Sequence, residues 1–301
     1  MKTAKVLGYE FVSAGTSEVV ATIAEWATTK NTKSSKSLIQ FKLIATPNPE
    51  QLVLADAQKD FKKTLQSFDL LLPDGMGLVW GSGLLSAVDK ADSLAGRVTG
   101  IDVVTQLLPK LWQAGLKVLL VGGQNYCAGR HRLNGDEFEL VSVGTGRDGM
   151  APNRIADSKN VLYWWPGGVT GIDAGGIKAN GIEANGIDAD KELSGVLKAT
   201  QPAVVLVALG APRQENWLLA HRQLLQDRQV RVGMVVGGAF DMILGPLNRA
   251  PSWVQNMGLE WLYRLYQEPW RWRRQLKLFN FLILIFREML HQPTTEIKVK
   301  S

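Results

Sequence analysis

The chain reads as an α/β protein with a doubly wound, mostly parallel, Rossmann-like sheet, followed by a helical appendage of different character. Two observations predict this. Short β-branched and leucine-rich runs alternate with amphipathic segments along most of the chain, and each run ends in a loop rich in Gly, Pro, Asn or Asp. After about residue 257 the alternation stops, and arginines interleave with tryptophan, tyrosine and phenylalanine.

In order, the expected strands are Val6 to Val12, Lys42 to Thr46, Asp69 to Leu72, Lys117 to Val121, Glu139 to Val143, Ala203 to Leu209 and Val230 to Val236. Expected helices include Ser17 to Thr28, Pro49 to Gln66, Ile101 to Gln113 and Gln214 to Gln226, each with apolar residues at mixed spacings of three and four. Residues 1–257 form the α/β domain in this reading, with a glycine-rich insertion at about 150–192, and residues 258–301 form the appendage.

The site is expected at the carboxyl ends of the strands, where open α/β sheets hold their ligands. In Phe68 to Gly77, Pro73 stops the strand and Asp74-Gly75 turns the chain. Asp74 therefore stands at a strand end, either as a helix cap or as a catalytic carboxylate. Other loops of this kind carry Thr46-Pro47-Asn48, Gly122-Gly123-Gln124-Asn125, Gly210 to Glu215 with Gln214, and Gly237-Gly238-Ala239-Phe240-Asp241. Each is an ordinary turn taken alone. Repeated before helix starts, their glycines and free N–H groups suit an anion, so Gly122, Gly123, Gly237, Gly238 and Asp241 are candidate diphosphate contacts. None is a G-x-G-x-x-G or Walker loop.

From Val143 to Val196 the alternation is lost. Gly171 to Asp190 repeats a five-residue unit, G-I-D-A-G, G-I-K-A-N, G-I-E-A-N and G-I-D-A-D, and reads as a surface insertion dominated by turns. Asp188-Ala189-Asp190 has a spacing that can hold a divalent metal, but neighbouring units carry Lys178 or Glu183 at the same place, so no metal is assigned.

Between Leu259 and His291, Arg264, Arg271, Arg273, Arg274, Lys277 and Arg287 outweigh Glu260, Glu268 and Glu288. With Trp270, Trp272, Phe279 and Phe281 among them, Arg273 and Lys277 suit the headgroup layer of an anionic bilayer. The apolar run Phe281 to Phe286 is too short to span one. An ordinary helix packed on the sheet and a nucleic-acid surface are the alternatives, the latter without a supporting binding motif.

The 301 residues carry a net charge of +6, which fits nucleic acid, an anionic membrane or a phosphorylated ligand. The single cysteine, Cys127, excludes an internal disulfide and, with no signal-peptide pattern, points to the cytoplasm. His131, His221 and His291 are too scattered in sequence for a zinc or haem motif.

Seven blocks, taken together, resemble the WecG/TagA/CpsF family of bacterial glycosyltransferases. They are T-P-N-P-E at Thr46, L-P-D-G-M-G at Leu72, G-R-V-T-G-I-D at Gly96, V-A-L-G-A-P-R-Q-E-N-W at Val207, V-G-G-A-F-D-M-I-L-G at Val236, R-A-P-S-W at Arg249 and G-L-E-W-L-Y-R-L-Y-Q-E-P-W-R-W-R-R at Gly258. The resemblance implies inverting transfer of a sugar, N-acetylmannosamine or a relative, from a UDP-sugar to an undecaprenyl-diphosphate-linked acceptor in envelope polysaccharide or teichoic acid synthesis. It further implies a peripheral position on the inner face of the cell membrane; from the residues themselves no metal or other cofactor is assigned, no nucleic acid is expected without a binding motif, and a homo-oligomer is left open.

By the same resemblance Asp74 is the general base, Thr46, Asn48, Gln214 and Arg97 are active-site positions, and Arg264, Arg271 and Arg274 belong to an appendage that closes over the pocket. Gly96 departs from the family, which often has glutamate before the motif arginine. A membrane-surface protein that binds a nucleotide-sugar without turning it over is the competing reading. A nicotinamide-dependent oxidoreductase lacks its glycine fingerprint here.

Overall fold

The computed structural model describes residues 1–29, 40–89, 92–123, 126–144, 158–166, 186–245 and 247–291. Contacts divide the chain into two compact units, one of residues 1–19, 45–100 and 247–301, the other of residues 20–44 and 101–246.

The second unit holds a mostly parallel sheet. Its strands are β3 (Lys42–Ala45), β5 (Val118–Gly122), β6 (Gly129–Leu133), β7 (Asp136–Ser142), β8 (Val161–Trp165), β9 (Val204–Ala208) and β10 (Val232–Val235). They run in the order β3-β10-β9-β5-β8-β7-β6, parallel at every pairing but the β6–β7 hairpin. The central strands are apolar on both faces, as a sheet covered on both sides requires: β5 and β10 are buried throughout, and β9 at four of its five residues.

The stretch expected to lack regular structure contains β8 and the helix Gly186–Thr200. The fourth repeat unit, G-I-D-A-D, opens that helix, so it is not a turn. Asp188 and Asp190 fall in its first turns, where negative charge suits the helix dipole. The earlier repeat units and Gln124-Asn125 lie outside the described residues.

In the first unit, the expected strand Val6 to Val12 is a hairpin. β1 (Thr3–Val6) and β2 (Tyr9–Val12) pair antiparallel, with Val6 opposite Tyr9, because Leu7 and Gly8 both take positive φ, 51° and 80°, and reverse the chain. β4 (Leu70–Leu71) is brief. Helices Pro49–Ala57 and Lys59–Gln66 replace the single helix expected there, broken at Gln58 where the backbone is extended.

The carboxyl end folds as helices Ser252–Asn256 and Glu260–Gln267, a 3-10 turn Pro269–Arg271 and the long helix Trp272–His291. Among the described residues no helix is long and apolar enough to cross a membrane. Phe281, Leu284 and Ile285 bury one face of the last helix against helices Pro49–Ala57 and Met76–Asp89. Each such side chain contributes about 1.5–3 kcal/mol of burial. Phe281, expected at the membrane, is 2% exposed and belongs to this core; the i, i+3, i+4 spacing of Phe281, Leu284 and Ile285 turns all three inward.

Candidate active site

Three backbone hydrogen bonds bring the candidate loops of the first unit together. Leu72 N–H donates to Ala45 O at 2.8 Å, Asp74 N–H to Pro47 O at 3.0 Å, and Val98 N–H to Pro73 O at 2.8 Å. They set Asp74 beside the Thr46-Pro47-Asn48 loop and bring in the chain just after Arg97. Gly75 follows at φ 106°, a conformation that favours glycine, and the helix Met76–Asp89 then begins.

Asn48 caps the helix Pro49–Ala57. Its Oδ1 accepts from Gln51 N–H at 3.0 Å while Asn48 N–H donates to Gln51 Oε1 at 2.9 Å, a complete capping box with proline at the first helical position. The Asn48 oxygen thereby caps the helix, and its amide N–H groups are the donors the side chain can offer a ligand. Thr46 is buried and Asp74 half-buried. A Cβ at Gly77 would stand 2.8 Å from Pro49 Cγ, so the second glycine of G-M-G lets the two helix starts touch.

Several arginines of this unit are held by carboxylates. Arg97 Nη1 donates to Glu260 Oε2 at 2.7 Å and Nη2 to Gln255 Oε1 at 3.4 Å, while Arg249 Nε lies 3.5 Å from Glu260 Oε1. Two guanidiniums thus share one half-buried carboxylate and keep a net positive charge. Glu260 stands where Gly96 cannot help, supplying Arg97 with an acidic partner from the opposite end of the sequence. Arg264 Nε pairs with Glu268 at 3.0 Å and Arg274 Nε with Glu50 at 2.9 Å, the latter two residues past the Asn48 cap. The side chain of Arg271 lies outside the described residues. Arg264, Arg271 and Arg274 do not share one helix, because Glu268-Pro269 ends the first and a 3-10 turn intervenes.

The second unit carries its own cluster. β5, β9 and β10 are adjacent and parallel, so the loops that follow them open on the same edge. Gly122 has φ 78°, and a Cβ there would run into the Leu209 side chain. Buried Gln214 accepts from Gly237 N–H at 3.2 Å and donates to Glu215 Oε1 at 3.0 Å, and Tyr126 O–H donates to Asp241 Oδ1 at 2.9 Å. Gly123 packs against the Tyr126 ring, and Gly238 precedes the short helix Ala239–Ile243. Asp190 lies 3.1 Å from His221 Nε2, and the Asp188 side chain lies outside the described residues.

Residues 4–148 and 171–295 match the family model described as "Glycosyl transferase WecG/TagA/CpsF family". The chain belongs to this family. It is a glycosyltransferase. Among relatives of this WecG/TagA/CpsF member is an N-acetylglucosaminyldiphosphoundecaprenol N-acetyl-beta-D-mannosaminyltransferase of Bacillus subtilis (strain 168), 28% identical over 84% of this chain and 82% of the relative. A protein of the same name from Bacillus spizizenii (strain ATCC 23059 / NRRL B-14472 / W23) is 30% identical over 81% and 78%.

The sequence reading brought out the arginines of this family member but not their partners. Glu50, Gln255 and Glu260 were the missed residues, and the only sequence signal for Glu50 and Glu260 was their place inside the T-P-N-P-E and G-L-E-W blocks. Along the carboxyl-terminal segment, Trp270 and Phe279 are 70% and 67% exposed. Trp272 and Arg273 are exposed as well, and Lys277 is half-buried.

Proposed function

We propose that this protein transfers N-acetylmannosamine, or a closely related hexose, from a UDP-sugar to N-acetylglucosamine on undecaprenyl diphosphate, with inversion at the anomeric carbon. The observation that carries the reading is the hydrogen-bonded placement of Asp74 between the Thr46-Pro47-Asn48 loop and the Arg97-Val98 segment. A half-exposed carboxylate on a residue anchored in this way can accept a proton from a sugar hydroxyl. That hydroxyl oxygen forms the new bond to the anomeric carbon, the bond from that carbon to the diphosphate oxygen breaks, and UDP departs with the electron pair.

Asn48 N–H groups and Thr46 orient the reacting sugars in this scheme, and Arg97 is aimed by Glu260. Gly122, Gly123, Gly237 and Gly238, with Gln214 and Asp241, hold the donor nucleotide through backbone N–H groups. Arg264, Arg271 and Arg274 offset the charge that grows on the leaving diphosphate, and no metal is assigned to that task.

Residues 1–257 supply the base and the donor contacts, and residues 258–301 supply these arginines and the contact with the inner face of the cell membrane. Trp272, Leu276, Phe279, Ile283, Phe286 and Leu290 are all exposed and recur at alternating steps of four and three along the last helix. That spacing could equally zip two helices together. Of the arginines flanking it, Arg287 pairs with Asp56 at 2.8 Å, while Arg273, beside Gln275 and Asn280, has no carboxylate partner among the described residues, which suits an anionic bilayer better than a second copy.

The deciding assay measures UDP release by purified protein with UDP-N-acetylmannosamine and a lipid-diphosphate N-acetylglucosamine acceptor, wild type beside Asp74→Asn. Acceptor-dependent release that is lost in the variant supports the transferase and the base together. Silence over a broad panel of donors and acceptors overturns both in favour of a nucleotide-sugar binder.

A further inference from the structure

We propose that Glu215 is a positioning residue for the donor site, locking the side chain of Gln214 so that Gln214 fixes the Gly237-Gly238 turn; the inference rests on the transferase reading above. Glu215 is 0% exposed and Gln214 2%, both in the first turn of the helix Arg213–Ala220. A carboxylate withdrawn from water is unfavourable unless it is hydrogen-bonded. An acid that merely offset the helix dipole would do so from the surface, so the burial of Glu215 has another cause.

The two partners of Gln214 agree on one orientation of its amide. Val236 N–H still bonds to β9, at Val207 O and 2.9 Å, and the next residue, Gly237, takes φ 52° as the chain turns out of the sheet. Gly237 N–H can only donate, so the Gln214 atom 3.2 Å from it is Oε1. Nε2 then faces Glu215 Oε1 at 3.0 Å, where it finds the acceptor it needs. An amide turned by 180° would set donor against donor and acceptor against acceptor. Glu215 therefore selects the rotamer in which Gln214 holds Gly237.

The turn closes on itself through Ala239 N–H to Val236 O at 3.1 Å, and Gln214 adds a tie to the neighbouring helix. At 2% exposure Gln214 offers a ligand little surface, so its hold on the donor runs through the position of that turn. Glu215 acts one step further back, from a site no ligand touches.

The test is a double-mutant cycle in UDP affinity, measured by titration calorimetry on the full chain for wild type, Glu215→Ala, Gln214→Ala and the two combined, with Glu215→Gln beside them. Glu215→Ala is expected to weaken UDP binding about tenfold, as loss of a hydrogen bond to a charged group allows. Glu215→Gln keeps an acceptor of the same reach and should recover most of that loss. In the Gln214→Ala background, Glu215→Ala should have no further effect. Should truncation unfold the chain, hydrogen exchange of the Gly237 amide in Glu215→Gln reads the same tie, and it is expected to quicken several-fold.

Unchanged UDP affinity in Glu215→Ala overturns the proposal, as does a loss of the same size with and without Gln214. An unchanged Gly237 exchange rate in Glu215→Gln overturns it too. Wild type that binds no UDP sinks it together with the donor assignment of the turn. The expected cycle in a protein that transfers no sugar leaves Glu215 in its role and sinks the transferase reading instead.

Discussion

Glu260 accepts a hydrogen bond from Arg97 at 2.7 Å across 163 positions of sequence, and the same carboxylate reaches Arg249. Removing the carboxylate leaves two half-buried guanidiniums facing each other. Glu260→Ala is therefore expected to cost about 1–3 kcal/mol in urea unfolding, and Glu260→Gln, which keeps a hydrogen-bond acceptor, to cost less. Equal stability of wild type and Glu260→Ala would show that the cluster holds nothing in place.

Asp74→Asn keeps the shape of the loop and removes the proton acceptor. Turnover should fall by about 10²–10⁴-fold, the range that a positioned base contributes, with the melting temperature unchanged. A variant with near-normal turnover would return Asp74 to the role of a helix cap.

Gly77→Ala places a methyl group 2.8 Å from Pro49 Cγ, at the start of the helix that Asn48 caps. Overpacking of this kind costs about 1–3 kcal/mol. Because Pro49 adjoins Asn48, activity should fall together with stability, and an unchanged melting temperature would mean that the helix starts can separate freely.

Tyr9 is buried, its hydroxyl has no hydrogen-bond partner among the described residues, and burial, assisted by the Asp56 carboxylate, pushes its pKa up to about 12. The folded pKa lies above the unfolded value of 10.0, so Tyr9 favours the folded state fully below pH 10, and this contribution is lost as pH rises towards 12. Tyr9→Phe should flatten that alkaline loss and cost little at neutral pH, since no hydrogen bond is broken. Urea midpoints at neutral and alkaline pH check it; an alkaline loss as steep in the variant as in wild type would assign the effect elsewhere.

Phe279→Ser, Ile283→Ser and Phe286→Ser combined should abolish binding to anionic vesicles while leaving the fold intact, because all three side chains point away from the core. Undiminished vesicle binding would refute the membrane surface. Deleting the chain from Leu259 would not test this surface alone, since it also removes Phe281, Leu284 and Ile285 from the interior.

What could be read in the sequence was what has a local cause. The runs that became β5, β9 and β10 are apolar without interruption, and T-P-N and P-D-G mark loops whose glycine or proline fixes the backbone. β6, G-R-H-R-L, was missed because an edge strand carries polar side chains, and β8 because it is isolated within an irregular stretch. The breaks at Gln58 and His221 carry no proline or glycine to announce them. At the site, Asp74, Asn48 and Arg97 could be picked out by loop position and family likeness. Their partners could not, because Arg274 meets Glu50 across 224 positions and no periodicity encodes such a pair.

The helix Met76–Asp89 presents glycine at 77 to Pro49 and, one turn later, glycine at 81 to Phe281 and Ile285. A single rigid rod therefore touches both the start of the Asn48 helix and the last helix of the chain, without a linker between them. The carboxyl segment is consequently no interchangeable tether. Grafting the carboxyl segment of a relative onto this chain would require the receiving helix to be recut at both glycines, so the two parts are expected to vary together as one inherited block.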